Sequence, residues 1–127
     1  MPGLARFLAV ALLFLRAGAT LPADTSAEIL VQTSLAAGLA HHEGKAVWEQ
    51  LKVGDPLDLV REPNNAYDPN AVRVDWHGHT LGYIPRADNE ALARQLDRGN
   101  RLRARITGIA SYRNHRRKLE IEIYIRL

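Results

Sequence analysis

The last ten residues, KLEIEIYIRL (118–127), alternate without a break. Leu119, Ile121, Ile123, Ile125 and Leu127 fall on one face; Glu120, Glu122, Tyr124 and Arg126 fall on the other. A period of two over this length describes a strand with one buried face, where an amphipathic helix would repeat every 3.6 residues. Such a strand needs paired neighbours and a second layer to cover its apolar side. The chain must therefore be built around a sheet.

The neighbours are readable upstream. EILVQTSLAAGLAHH (28–42) reads as a long first strand with Gly38 as a bulge or bend, and LDLVR (57–61) as another. AVRVDW and TLGYIP flank His77-Gly78, a pair suited to a tight hairpin. RLRARI places Leu102, Ala104 and Ile106 inward and Arg101, Arg103 and Arg105 outward. One helix is expected at about 88–98, with Asp88 or Asn89 as cap, Leu92 and Leu96 on one face, and Gly99 ending it. AVWEQL (46–51) fits either a single helical turn or a strand. Five to six short strands with one helix predict a mainly β chain: a small, partly closed barrel of the OB-like or SH3-like kind. A split α+β sandwich is the competing architecture.

The first 19 residues stand apart. MPGLAR is basic, FLAVALLFL is nine uninterrupted apolar residues, and AGA ends at Ala19 in a small-x-small pattern. This is the layout of a secretory signal peptide, and the run is far short of the roughly 20 residues of a spanning helix. Export to the periplasm or medium is expected, with a short disordered leader at 20–28, a domain over 29–127 and no membrane attachment after cleavage. A mis-assigned start codon would instead leave the protein cytoplasmic. The domain has no cysteine, so neither disulfides nor Cys-based zinc sites support it.

Charge is polarised. Residues 20–93 hold eleven Asp or Glu against five Lys or Arg, whereas residues 94–127 hold ten Lys or Arg against three. An anionic partner suits the basic part, and a solvated basic face is the alternative. Between two strands lies REPNNAYDPNAV, where six of the eight residues from Pro63 to Asn70 are turn formers. Asn and Asp side chains brace turns through their own backbone. Tyr67 among them reads as a ring presented by the loop, or as a plug for the barrel end.

LVREPNNAYDPNAVRV, then LGYIPR, then NEALARQLDRGNRLRARITGI resemble the HIRAN domain family over about residues 29–127. The family occurs as isolated bacterial domains and beside DNA translocases. The resemblance implies an OB-like barrel that binds single-stranded DNA near its 3′ end. It implies that Asn65 lines the pocket, Tyr67 packs on a terminal base, and Asp68 accepts a hydrogen bond from the 3′-hydroxyl. Arg86 would meet a phosphate, and Tyr83 would approach the nucleic acid. After its GL the family often carries a basic and an aromatic residue facing the DNA; this chain has Ala40 and His41. Residue chemistry points the same way, because aromatic faces and Arg are what unstacked bases and phosphates require.

A monomer is expected, with a helicase or another protein as partner in trans, no cofactor, no metal and no catalysis. Two further classes stay open: an envelope module binding protein or polysaccharide, and a metal-dependent nuclease using Glu62 and Asp68 with Arg61 and Arg86.

Overall fold

The computed structural model describes residues 27–127. The expected signal peptide, and the leader as far as residue 26, lie outside the described residues. Among the described residues six strands form: β1 (Glu28–Leu35), β2 (Pro56–Arg61), β3 (Val72–Trp76), β4 (His79–Tyr83), β5 (Leu102–Ser111) and β6 (Arg117–Arg126). They make one antiparallel sheet in the order β1-β6-β5-β2-β3-β4. The alternation in β6 is used as the sequence predicts: Leu119, Ile121 and Ile123 are fully buried, though the exposed Leu127 falls beyond the core.

The long first strand of the sequence reading is shorter. Gly38 adopts a left-handed φ of 76° and Leu39–His41 coil into a 3₁₀ turn, so the histidines leave the strand. Before that turn, Ala37 pairs with Tyr83 at the far edge of the sheet (Ala37 N to Tyr83 O 2.7 Å, Tyr83 N to Ala37 O 2.9 Å). The sheet thus curls until its edges meet at one bridge, a partly closed barrel. Gly82 makes the bridge possible, because a methyl at its Cα would lie 2.2 Å from the Ala37 carbonyl oxygen. Gly82→Ala should force the edges apart and lose two backbone bonds of about 0.5–1 kcal/mol each. Urea unfolding would read this, and an unchanged midpoint would count against the closure.

Two short helices complete the fold. α1 (Gly44–Val47) runs into a 3₁₀ turn at Trp48–Gln50, which settles the ambiguity of 46–51. α2 (Glu90–Asp97) buries Leu92 and Ala93 in the core. It ends at Gly99 in paired bonds from Gly99 N to Leu96 O and Asn100 N to Gln95 O, the geometry of a left-handed cap. α2 begins later than position 88 because Arg86–Asp88 form a separate 3₁₀ turn. The hairpin at His77-Gly78 has both residues at positive φ, as its sequence predicts. β1 and β6 are neighbours, so Leu127 N reaches Ala27 O at 3.1 Å.

Candidate nucleic-acid interface

β2 and β3 are joined by the turn-rich loop, and the side chains of that loop are occupied in folding it. Asn65 Oδ1 accepts the N–H groups of Tyr67 (2.9 Å) and Asp68 (3.1 Å), while its Nδ2 donates to Glu62 Oε1 (3.0 Å). Asp68 Oδ1 accepts the Asn70 N–H at 2.9 Å. These are the local bonds that Asn and Asp offer a turn. Tyr67, spared from that work, is 88% exposed.

Beneath the loop lies a charged network. Glu62 Oε1 also accepts the Tyr83 hydroxyl (2.8 Å), and Glu62 Oε2 accepts Arg73 Nη1 (2.8 Å). Arg73 forks onto Asp75 through Nε (2.9 Å) and Nη2 (3.0 Å). Cross-strand register explains the grouping, since Arg73 on β3 stands opposite Tyr83 on β4. Burial pushes the Glu62 carboxyl up, but hydrogen bonds from Asn65, Tyr83 and Arg73 outweigh it and hold the group below its ordinary 4.5. Burial first, and the bond to Glu62 second, push the Tyr83 phenol up. Asp75 is 8% exposed and is paired with Arg73 at 2.9 Å.

Loop, β4 and the turn after β1 enclose a cleft of about 700 Å³. All six residues singled out from the sequence line it: His41, Asn65, Tyr67, Asp68, Tyr83 and Arg86. Arg86 donates to the Tyr67 carbonyl oxygen, and its Nε is 3.8 Å from Asp68 Oδ2. Its side chain is nevertheless 72% exposed. His42 also lines the cleft, with its ring 5.3 Å from that of Tyr83.

The sequence reading missed Asn89. Expected only as a helix cap, it makes no side-chain cap bond; it is buried, and its Nδ2 donates to Asp68 Oδ2 at 2.7 Å. The backbone N–H of Asn70, then the Asn89 amide and the Arg86 charge, hold the Asp68 carboxyl below its ordinary value against the opposing effect of burial. Asp68 is therefore an anion at neutral pH, with lone pairs left for a further donor.

A family model described as the HIRAN domain matches residues 29–127. The chain belongs to the HIRAN domain family. The fold agrees with that of solved relatives. A crystal structure of a protein from Lactobacillus plantarum is 30% identical, covers 80% of this chain and 97% of its own, and has a TM-score of 0.71. The HIRAN domain of human HLTF is 20% identical over 80% of this chain and 78% of that one, with a TM-score of 0.64, a likeness in fold alone. The Fanconi-associated nuclease 1 homolog of Oryza sativa subsp. japonica is 37% identical over 79 residues, 59% of this chain. The chain spans 8% of that relative's length.

The geometry of this HIRAN domain bears on the nuclease alternative. Glu62, cast there as a metal ligand, has both carboxylate oxygens bonded to Asn65, Tyr83 and Arg73. Arg61, cast as a phosphate contact, is paired with Asp97 at 3.0 Å. Among the described residues no group of three or more His, Asp or Glu side chains is gathered as a metal site.

Proposed function

We propose that this HIRAN domain binds single-stranded nucleic acid, DNA foremost, and seats a 3′-terminal nucleotide in the cleft between Tyr67, Arg86 and His41. The observation that carries this reading is Tyr67 itself. A ring serving as scaffold would be covered, but this one stands in water on a loop braced at both neighbouring N–H groups. Base stacking is the chemistry an exposed ring on a braced loop offers a single strand. Arg86 beside it supplies a cation for the phosphate, and Asp68 supplies an acceptor for a terminal hydroxyl. Membership of the HIRAN family supports nucleic acid as the ligand class. The domain acts by binding, without catalysis, and a helicase or translocase acting in trans is the partner this role calls for.

Oligonucleotides ending in a 3′-hydroxyl and in a 3′-phosphate test the reading directly. The Asp68 carboxylate repels a terminal phosphate, so the hydroxyl form should bind more tightly. Asp68→Asn, whose loop bonds survive if the Asn89 amide turns over, should narrow the preference. Equal binding of both ends by the unaltered domain sinks the terminal-nucleotide reading. The same oligonucleotides should survive incubation with Mg²⁺, Ca²⁺ or Zn²⁺, and cleavage abolished by Asp68→Asn would establish hydrolysis instead. Export belongs to the proposal too: the mass of the native protein should correspond to a chain starting at or near Thr20.

A further inference from the structure

We propose that a strand seated in the cleft continues along a phosphate track on the β5–β6 hairpin, with Arg116 and Arg117 as its central contacts. This rests on the reading of the cleft given above. Three concavities run together on this side of the barrel. His41 lines both the terminal cleft and a narrower passage of about 340 Å³, whose other walls include Ala40, His115, Arg116 and Arg117. Arg116 and Arg117 in turn line a trough of about 880 Å³ that reaches Arg113 and Lys118. The shared residues make one path, leading from Tyr67 past His41 to the hairpin.

Charge density marks this path: Lys45, Lys52, Arg98 and Arg101 also lack an ion pair among the described residues, but only the hairpin gathers four such cations within six residues. Around the cleft and the outer sheet the arginines face carboxylates: Arg61 with Asp97, Arg73 with Glu62 and Asp75, Arg86 with Asp68, Arg103 with Glu28, and Arg105 with Glu122. Arg113, Arg116, Arg117 and Lys118 make no ion pair with any described residue. Four like charges within six residues repel one another, and no protein carboxylate must be displaced before an anion can meet them.

The hairpin backbone that carries these charges is braced, and one of the four lies over an aromatic ring. Tyr112 N donates to Arg116 O at 2.8 Å, and His115 N donates to Tyr112 O at 3.0 Å. Arg116 N donates to Asn114 Oδ1 at 3.2 Å. The Arg117 guanidinium lies 5.3 Å from the centre of the Trp48 ring, whose indole N–H is fixed on Ser111 Oγ at 2.9 Å. A row of closely spaced cations on a braced hairpin, leading away from the exposed Tyr67 ring, suits a regularly spaced polyanion. The phosphodiester backbone on the 5′ side of the seated nucleotide is that polyanion.

Strand length separates the track from the cleft. Oligonucleotides of about 4 and about 12 nucleotides, within the site sizes of single OB folds, are titrated with a free 3′-hydroxyl at several salt concentrations. The longer one should bind more tightly and with a steeper salt slope. Arg116→Ala/Arg117→Ala removes two phosphate contacts and should lower that slope by about 1.4, which weakens the long strand about 25-fold at about 0.1 M salt relative to about 1 M. The advantage of the long strand over the short one should then shrink, with the preference for a 3′-hydroxyl intact. Arg113→Ala/Arg116→Ala alters only exposed hairpin side chains away from Trp48, and should shift the slope in the same direction. Equal binding of long and short strands by the unaltered domain overturns the track, as does length dependence that is undiminished in both variants. Length dependence without any 3′-end preference overturns the terminal-nucleotide reading and leaves the track standing.

Discussion

Arg73→Ala is expected to destabilise the domain by about 2–3 kcal/mol, the largest single effect predicted for its stability. Removing one partner of a buried ion pair costs about 3–5 kcal/mol because a charge is left uncompensated, and partial exposure lowers that figure. Arg73 serves two carboxylates at once, Glu62 at 2.8 Å and Asp75 at 2.9 Å, so both lose their cation together, although Glu62 keeps its bonds from Asn65 and Tyr83. The loss should appear as a lower urea midpoint with an unchanged slope, and a change below about 0.5 kcal/mol, within the range of ordinary surface substitutions, would refute the account. Acid provides a second view of the network. The carboxyl of Glu62 titrates below its ordinary 4.5 when folded. Its contribution is therefore complete above that ordinary value, and it is lost as pH falls through the lower folded value. Glu62→Gln should flatten the decline in stability over that acid window.

Tyr67→Ala is expected to weaken single-strand binding by about ten- to a hundredfold, in line with about 1–3 kcal/mol for one base stacked on an aromatic ring. Its salt slope should not change, because no phosphate contact is lost. Its unfolding midpoint should also hold, since the ring is 88% exposed and the loop bonds come from Asn65 and the backbone. Arg86→Ala should weaken binding and lower the slope by about 0.7 as well. The two changes should be less than additive, for Arg86 also holds the Tyr67 carbonyl and its removal loosens the ring. If Tyr67→Ala binds as the unaltered domain does, the ring is not a stacking platform.

The parts of this molecule visible in sequence were those governed by local rules. Period-two alternation marked β6, Gly99 marked the end of α2, and His77-Gly78 marked a hairpin, each through an intrinsic preference of a few neighbouring residues. The family motif gathered five residues, and the position after its GL added His41; the fold brings all six to one cleft. What stayed hidden were polar groups whose partners lie far along the chain. Asn89 looks like a helix cap until Asp68, 21 residues earlier, is seen to take its amide. Arg73 and Asp75 look like the wet face of a strand until Glu62 and Tyr83 close over them. Gly38 could be read as a bulge or a bend in one strand, and only the bridge from Ala37 to Tyr83 shows that the chain must turn there. Asn65 illustrates a different limit: it lines the cleft as the resemblance implies, yet its amide is consumed in building the loop.

The side-by-side placement of β1 and β6 has a mechanical side. Ala27 and Leu127 are hydrogen-bonded neighbours, and the ladder between the strands begins with Glu28 opposite Arg126. Tension applied at these two points would therefore open the ladder from that end, one rung after another, instead of shearing all its bonds at once. β1, an edge strand paired with β6 alone, would peel away before β6, which β5 holds on its other side. Because Ala37 follows β1, the pull would then reach the bridge to Tyr83 and with it a wall of the cleft. Stretched between its two ends, the domain would lose the shape of the cleft before the rest of the barrel came apart.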